Sequence, residues 1–264
     1  MNKIKKIARE AVLEAGKMLE IGYNKFKRSS ARFKSTREIV TKYDLASEKI
    51  IIKKIKQNFP THQILSEEAG EKHNKGNYLW IIDPIDGTTN FSMHNPLWAI
   101  SVGVTHIDNF KKKKELEFGI VYAPILGEVF EAQKGKGARL NGRRIKPSNI
   151  DANRGLHAFC HSSHKKDIKR ALKYLSYQKL NNFDCRQLGS ASIELAYVAC
   201  GRIESIMIPG AHAWDVAAGA LLVRESGGVV SDFNGKKWGL SSNDILASNK
   251  KSYKKILRII NKII

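Results

Sequence analysis

The stretch WIIDPIDGTTNF, residues 80–91, places two carboxylates, Asp83 and Asp86, directly after an apolar run. The run from Tyr78 to Ile82 is short and rich in β-branched and aromatic residues, which predicts a strand buried on both faces. Asp83 then lies where this strand ends, and Pro84 restricts it to an extended conformation. Burying a carboxylate is costly, so the pattern raises the question of what offsets two of them beside a core strand.

The residues after Asp86 predict a turn followed by a helix start. Gly87 permits a tight turn, and residues 88–90, Thr-Thr-Asn, are all types that cap helix N-termini. The first N–H groups of a helix have no partner within it, and such an end attracts anions.

The composition is that of a folded chain without membrane spans. Of the 264 residues, 42% are hydrophobic and four are Trp, which excludes a disordered chain. The longest apolar run, Val216 to Val223, is far shorter than the roughly 18 residues of a span. Apolar residues recur at helical spacing among the basic residues near the N-terminus, unlike a signal peptide. Cys160, Cys185 and Cys200 form no CxxC pair, so we expect reduced thiols in a cytoplasmic protein.

The net charge of +21 is the most unusual bulk property. One explanation is that this charge steers the protein toward nucleic acid, anionic lipid or phosphorylated metabolites. The other is a lysine-rich composition without a binding role. No RNP motif, KH loop or basic–aromatic interleaving accompanies it, so nucleic acid is a possible partner that is not favoured. The C-terminal segment, residues 250–264, has an apolar stripe opposite its lysines; it could lie on a membrane, but packing against the domain is expected.

Two halves with different patterns divide the chain. Residues 1–150 contain several strand-like runs and few helices, and an Asn141-Gly142 hairpin turn, which predicts an α+β half. Residues 151–264 alternate strands and helices as in an α/β half. No repeat or low-complexity linker separates them, so we expect two packed halves with the active-site cleft between them.

Two further acidic sites, with three carboxylates between them, lie beside apolar segments. Glu67 and Glu68 come directly after the apolar run from Gln63 to Leu65, and Asp215 begins an apolar helix in HAWDVAAGALLVRESGG. Each has an ordinary alternative, because an Asp in the first turn is usually a cap worth about 0.5–2 kcal/mol and a glutamate after a strand is usually solvated.

Taken together, WIIDPIDGTTNF and the later WDVAAG resemble the inositol monophosphatase superfamily of Mg²⁺-dependent, lithium-sensitive phosphomonoesterases. The resemblance covers nearly the whole chain and includes TKYDLASE, SEEAG, EFGIVYAP, GKGARLNGRRI, QLGSASIELAYVACGR and AWDVAAGALLVRESGG. It implies a layered α-β-α-β-α sandwich that is commonly a homodimer.

The resemblance also implies a set of metal ligands. Glu67, Asp83 and the carbonyl of Ile85 would bind one Mg²⁺, and Asp83, Asp86 and Asp215 a second, with a weaker third ion beside Glu67. Carboxylates converging in one cleft repel by about 4 kcal/mol per close pair at an effective dielectric near 20, which cations would offset. Glu68 is expected to be a surface residue of the following turn.

Catalytic and substrate-binding roles are carried over in the same way. Glu67 and Thr88 would orient and deprotonate a water molecule, and Asp44 would accept a hydrogen bond from Thr88. Asp44 has an alternative role as N-cap of a helix from Leu45 to Phe59. The expected substrate contacts are Asp86, Gly87, Thr88, Ser162, Ala191 and Asp215. Lys34 is either a basic residue of a metal-binding loop or one solvated lysine among many. His161, His164 and His212 suggest a transition-metal site, but their spacing favours isolated surface or packing histidines.

The expected activity is therefore Mg²⁺-dependent hydrolysis of small sugar or polyol phosphates such as inositol 1-phosphate. Alternatives on the same scaffold are fructose-1,6-bisphosphatase, histidinol-phosphatase and 3'-phosphoadenosine 5'-phosphate phosphatase. A further alternative is a basic module that binds RNA or protein. Inositol-type members usually carry a substrate-binding glutamate seven residues before the aspartate of WDVAAG, where this chain has Ile208. Either Glu204 reaches the pocket instead, or the specificity is broad, or Ile208 packs under the strand and another residue takes the role of the glutamate.

Overall fold

A computed structural model describes residues 1–30, 32–33, 39–72, 74, 76–108 and 113–264. Lys34 lies outside these residues. The helices are α1 Asn2–Lys25, α2 Lys42–Asn58, α3 Thr88–Ser92, α4 Lys165–Leu180, α5 Ala191–Cys200, α6 Ala213–Ser226 and α7 Lys250–Ile263. The strands are β1 Arg32–Phe33, β2 Ile39–Val40, β3 Gln63–Ser66, β4 Gly70–Lys72, β5 Tyr78–Asp86, β6 Ala99–Asp108, β7 Lys113–Ala123, β8 Glu128–Gln133, β9 Gly137–Leu140, β10 Arg143–Arg144, β11 Leu156–Phe159, β12 Asp184–Arg186, β13 Ser205–Pro209, β14 Val229–Ser231 and β15 Asp244–Ser248.

These elements form five layers. The larger sheet has the strand order β10-β9-β8-β7-β6-β5-β3-β4, and the smaller has the order β12-β11-β13-β15-β14. Helices α1 and α2 pack on the outer face of the larger sheet, α5 and α6 lie between the sheets, and α4 and α7 pack on the outer face of the smaller sheet. The layered α-β-α-β-α sandwich expected from the sequence is confirmed.

The apolar stripe of α7 is used for packing. Ile256, Ile259 and Ile260 are buried in one cluster with Met207 of β13 and Leu246 of β15. The expectation that this segment packs against the domain is confirmed, and its lysines are left facing outward. No helix of the described ranges is long and apolar enough to cross a membrane.

Strand β5 extends four residues beyond the predicted end at Ile82. It pairs in parallel with β3 and antiparallel with β6, and its register with β6 shifts between Asp83 and Asp86. Pro84 has no N–H to donate to the ladder, but its φ is compatible with extended backbone. The chain therefore continues as an irregular strand, and both carboxylates belong to β5 instead of following it.

A pair of glycines brings α6 close to the larger sheet. Gly103 of β6 and Gly119 of β7 are directly opposite each other in the ladder. A Cβ atom on Gly103 would lie 3.1 Å from the Cβ atom of Ala217, and one on Gly119 would lie 2.9 Å from the backbone oxygen of Ala218. This contact sets the position of α6, which carries Asp215 in its first turn.

Candidate active site

The two carboxylates of β5 are buried at the C-terminal end of this interior strand of the larger sheet. Asp83 is only 2% exposed, and its Oδ1 accepts a 3.0 Å hydrogen bond from the N–H of Ile85. Burial holds the pKa of Asp83 well above its ordinary value, and the charges of Glu67, Asp86 and Asp215 raise it further. The predicted acidic residues of β5, of the turn after β3 and of α6 are therefore brought together.

Asp86 is held by the first turn of α5. Its Oδ2 accepts hydrogen bonds from the hydroxyl of Ser190 and the N–H of Ser192, each 2.6 Å, and its Oδ1 accepts one of 3.2 Å from the N–H of Ala191. Burial raises the pKa of Asp86, whereas these hydrogen bonds lower it. Ala191, predicted to contact substrate, thus supports Asp86 through its backbone.

Glu67 is positioned by a residue that the sequence analysis missed. Its N–H donates to the carbonyl of Ile82 at 3.1 Å, which places it beside the end of β5. Glu48 of α2 is buried, and its Oε1 accepts hydrogen bonds from the hydroxyl of Ser66 and from the N–H groups of Glu68 and Ala69. Glu48 lies one helical turn after Asp44, so its position on the same face of α2 was the available signal.

Glu68 lies in the turn, as expected, but it is half-buried. Its charge contributes to raising the pKa of Asp44. It is therefore close to the site, although none of the roles inferred from the sequence involves it.

Asp215 occupies the third position of α6. Its Oδ2 accepts a 3.1 Å hydrogen bond from the N–H of His212, the residue that caps this helix. The imidazole of His212 stacks on the indole of Trp214 with ring centroids 4.7 Å apart, which packs the two side chains that flank the start of the helix. Asp215 therefore has a capping contact in addition to its place among the acidic residues.

Thr88 connects the turn after β5 to α2. Its hydroxyl lies 2.9 Å from Oδ1 of Asp44 and 2.9 Å from the carbonyl oxygen of Ile85, so the predicted hydrogen bond from Thr88 to Asp44 is present. The N-cap alternative for Asp44 is wrong in detail, because Thr41 caps α2. Asp44 is the third residue of the helix and accepts two 2.7 Å hydrogen bonds from Thr41.

Asp44 is also protonated more easily than an ordinary aspartate. Burial raises its pKa to about 6, and the hydrogen bonds from Thr41 and Thr88 oppose that effect.

Gly87 precedes α3 with φ at +91°, and a Cβ atom there would lie 3.0 Å from the backbone oxygen of Gly189. Only glycine combines this conformation with this space.

The hydrogen bonds of Ser162 do not involve the acidic residues of the candidate site. Its hydroxyl donates to Oδ2 of Asp167 at 2.7 Å and accepts from the N–H of His164 at 3.2 Å, which closes the turn before α4. Nδ1 of His161 donates to the carbonyl oxygen of Ser162 at 2.9 Å, within the same loop. In the part of the chain that the structure describes, no three His, Cys, Asp or Glu residues form a ready-made metal cage.

Glu204 does not reach the site. It lies before β13, where its carboxylate accepts hydrogen bonds from the hydroxyl of Ser148 at 2.7 Å and the N–H of Leu156 at 2.5 Å. Asp215 follows the opposite end of β13, so the suggestion that Glu204 replaces the missing glutamate is wrong. Ile208 is 2% exposed and belongs to the apolar cluster between the sheets.

The donor set fits a divalent cation that prefers oxygen. Asp83 is buried among like charges, and a cation would relieve the repulsion that raises its pKa. The carboxylates do not close into a complete cage, and Mg²⁺ does not require one, because it keeps water and substrate phosphate in its coordination shell.

Comparison with known proteins agrees with the fold. The sequence matches the inositol monophosphatase family over residues 1–264. It is 37% identical over 266 residues to the Nus factor SuhB of Pasteurella multocida, covering 98% of this chain and 96% of that protein.

Two solved structures are similar throughout. The extragenic suppressor protein suhB of Bartonella henselae has a TM-score of 0.90 at 30% identity, covering 99% of this chain and 100% of that one. The IMPase of Thermotoga maritima has a TM-score of 0.86 at 31% identity, covering 100% and 98%.

Proposed function

Because the chain belongs to the inositol monophosphatase family, we propose that it is a Mg²⁺-dependent phosphomonoester hydrolase that acts on small sugar or polyol phosphates. The observation that carries the proposal is the burial of Asp83 among the charges of Glu67, Asp86 and Asp215. Uncatalysed hydrolysis of phosphate monoesters is so slow that enzymes accelerate it by up to about 10²¹-fold. Charge neutralisation and positioning supply most of this acceleration, and an acidic site that holds cations is suited to both.

Five groups would hold two to three magnesium ions: the carboxylates of Glu67, Asp83, Asp86 and Asp215 and the carbonyl of Ile85. When bound, the ions would neutralise phosphate charge, acidify a water molecule and stabilise the leaving oxygen. Glu48 and Ser190 would keep Glu67 and Asp86 in place through the hydrogen bonds described above.

Thr88 and Glu67 would then act on the attacking water. The hydroxyl of Thr88 has one proton and two acceptors at 2.9 Å, Asp44 and Ile85, so its lone pairs are available to accept a hydrogen bond from water. Glu67 would accept the proton as general base. The N–H groups of Gly87 and Thr88, at the start of α3, would donate to the phosphate oxygens.

The lack of a carboxylate at position 208, where Ile208 packs in the apolar cluster between the sheets, favours broad specificity. Isoleucine cannot hydrogen-bond substrate hydroxyls, and a site that lacks such a polar group discriminates weakly among leaving groups. A cavity of about 780 Å³ lies beside the start of α6, lined by Gly210 and His212 and by Lys166, Lys169 and Lys173 of α4. These cations favour substrates with a second anionic group, such as sugar bisphosphates or nucleotide phosphates.

The test is phosphate release from myo-inositol 1-phosphate, fructose 1,6-bisphosphate, histidinol phosphate and 3'-phosphoadenosine 5'-phosphate, each with and without Mg²⁺. We expect turnover that requires millimolar Mg²⁺ and is inhibited by lithium and by calcium. Calcium takes 6–8 oxygen ligands at longer distances and would hold the carboxylates in the wrong geometry. Full activity in the presence of chelator would contradict the proposal.

A second candidate function is favoured by the relatives named Nus factor SuhB. That name and the net charge of +21 support a role as a transcription-associated factor that binds nucleic acid or protein. Salt separates the two activities, because nucleic-acid binding weakens steeply with ionic strength, whereas hydrolysis of a small ester tolerates moderate salt.

A further inference from the structure

The positive charge of the protein is concentrated in one outer layer. Helices α4 and α7, of 16 and 14 residues, hold 12 of the 46 Lys and Arg residues and only one of the 25 Asp and Glu residues. Their combined charge of +11 is more than half of the net +21. A lysine-rich composition without a binding role would not exclude acidic residues from these two helices in particular.

The opposite outer layer provides an internal comparison. Helices α1 and α2 are longer, 24 and 17 residues, and hold 11 Lys and Arg residues with five Asp and Glu residues. Their combined charge is therefore +6 over 41 residues, with ion pairs such as Lys54 to Glu14 at 2.7 Å. The two outer layers have the same place in the sandwich and differ in charge density.

Most cations of the α4/α7 layer are exposed and unpaired. On α4, Lys165, Lys166, Lys169 and Lys173 are exposed and have no ion pair with any carboxylate of the described residues. Arg170 is different, because it is paired with Asp167 and Asp244. The four lysines repel one another across a single helix face, and a polyanion would remove that repulsion.

Helix α7 has the same character. Lys250, Lys251, Lys254 and Arg258 are exposed and lack ion pairs within the part of the chain that the structure describes. The apolar stripe of this helix is buried against β13 and β15, so it is not free to insert into a bilayer as an interfacial helix does. The exposed face of α7 therefore offers mainly charge, whereas α4 also exposes the side chains of Leu172 and Leu180 beside its lysines.

Both helices pack on the same face of the smaller sheet, so their lysines point away from it in the same direction. At 1.5 Å per residue the helices are about 24 and 21 Å long. A nucleic-acid duplex carries one negative charge per roughly 1.7 Å of its axis, so each helix is long enough to lie beside several phosphates. Tyr177 and Tyr253 are half-buried, whereas single-strand binders stack bases on accessible aromatic rings, so this face suits a duplex better than a single strand.

We propose that the outer face of α4 and α7 binds the phosphate backbone of double-stranded nucleic acid without reading its sequence. The inference concerns the second candidate function and does not rest on hydrolysis. The groups that make the contact are the exposed lysines and Arg258, and the specificity is for a dense row of phosphates.

The experiment measures binding of a labelled RNA duplex to the full chain across a series of salt concentrations. The test variant carries Lys169→Gln, Lys173→Gln, Lys251→Gln and Lys254→Gln. The control variant removes the same charge from the opposite layer with Lys17→Gln, Lys49→Gln, Lys53→Gln and Lys56→Gln. All eight lysines are exposed and have no side-chain ion pair or hydrogen bond among the described residues, so both variants should fold.

We expect the test variant to bind the duplex about tenfold or more weakly at low salt, and the slope of log K against log salt to fall by about one for each lost phosphate contact. The control variant should keep most of its affinity and slope. Equal losses in both variants would show a non-local charge effect and overturn the proposal, as would stronger binding to phosphatidylserine vesicles than to the duplex. Ester hydrolysis is measured in parallel, and its absence from all proteins would refute the proposed phosphatase without affecting this result.

Discussion

The carboxylate of Asp86 accepts a 2.6 Å hydrogen bond from the hydroxyl of Ser190, 104 residues away in the chain. This contact joins the end of β5 to the start of α5, and so joins a strand of the larger sheet to a helix from the second half of the sequence. A proposed metal ligand is thus oriented by a helix N-terminus, where carboxylates are stabilised by unpaired N–H groups.

The hydroxyl of Ser192 donates to Oδ2 of Asp86 as that of Ser190 does. Replacing both hydroxyls, in Ser190→Ala with Ser192→Ala, should weaken activity more than binding of substrate. Each hydrogen bond to a buried charge is worth about 1.5–3 kcal/mol, and their loss leaves Asp86 less firmly oriented. We expect a lower free energy of unfolding by urea and a reduced kcat in phosphate release. Ser176→Ala, at an exposed position of α4, is the control, and an unchanged kcat in the double variant would contradict the orienting role.

Asp83→Asn should abolish Mg²⁺-dependent turnover and leave the metal-free protein at least as stable as the wild type. Asp83 is buried among like charges that raise its pKa, so removing its charge relieves repulsion when no cation is present. Circular dichroism melting and phosphate release measure the two effects. Asp151→Asn is a control at an exposed carboxylate. A sharply lower Tm in Asp83→Asn would instead indicate a structural role, and retained turnover would remove Asp83 from the mechanism.

The stability of the metal-free protein should fall as pH rises from about 4 to about 6. Asp44 has a folded-state pKa of about 6, raised by burial from 3.8, so in this window the folded state binds more protons than the unfolded state and stability decreases with pH. The resulting loss in the free energy of unfolding is on the order of 3 kcal/mol, and it is complete once the pH is above the folded-state pKa. Urea titrations at several pH values should show a flatter dependence in Asp44→Asn; an identical dependence would mean that Asp44 is not the group responsible.

Gly119→Val should lower activity from a position outside the site. A side chain at this position meets backbone atoms of Ala218, 2.9–3.0 Å from its Cβ atom, which cannot move aside without shifting α6 and Asp215. Overpacking of this kind costs about 1–3 kcal/mol, and we expect reduced kcat together with reduced Tm. In contrast, Gly239→Ala adds a methyl group to open space and should change neither quantity.

The wild type should hydrolyse several phosphate esters with similar kcat/KM, because Ile208 supplies no carboxylate for substrate hydroxyls. Ile208→Glu should raise the preference for myo-inositol 1-phosphate without altering the Mg²⁺ requirement. Since Ile208 is buried, a melting curve must first show that the variant folds. A wild type that already prefers inositol phosphate by about a hundredfold would contradict this interpretation on its own.

Local patterns in the sequence determined several parts of the site. The apolar run before Asp83 predicts a buried strand, Gly87 a turn of positive φ, and the stripe of α7 an amphipathic helix, because each depends on neighbours within a few residues. The recognised motifs also indicated which carboxylates to bring together. The local pattern predicted the end of β5 at Ile82, four residues before its actual end at Asp86. The effect of Pro84 on an antiparallel ladder depends on the opposite strand, and the local pattern contains no information about that strand.

Contacts between distant residues were decided only by the tertiary structure. Glu48 supports the turn that carries Glu67, Ser190 and Ser192 hold Asp86, and Glu204 is directed away from the site. None of these contacts has a periodic signature, since each arises from the packing of elements far apart in the chain. The concentration of charge on α4 and α7 is likewise visible only when the two helices are placed side by side, because in sequence they are separated by about 70 residues of ordinary composition.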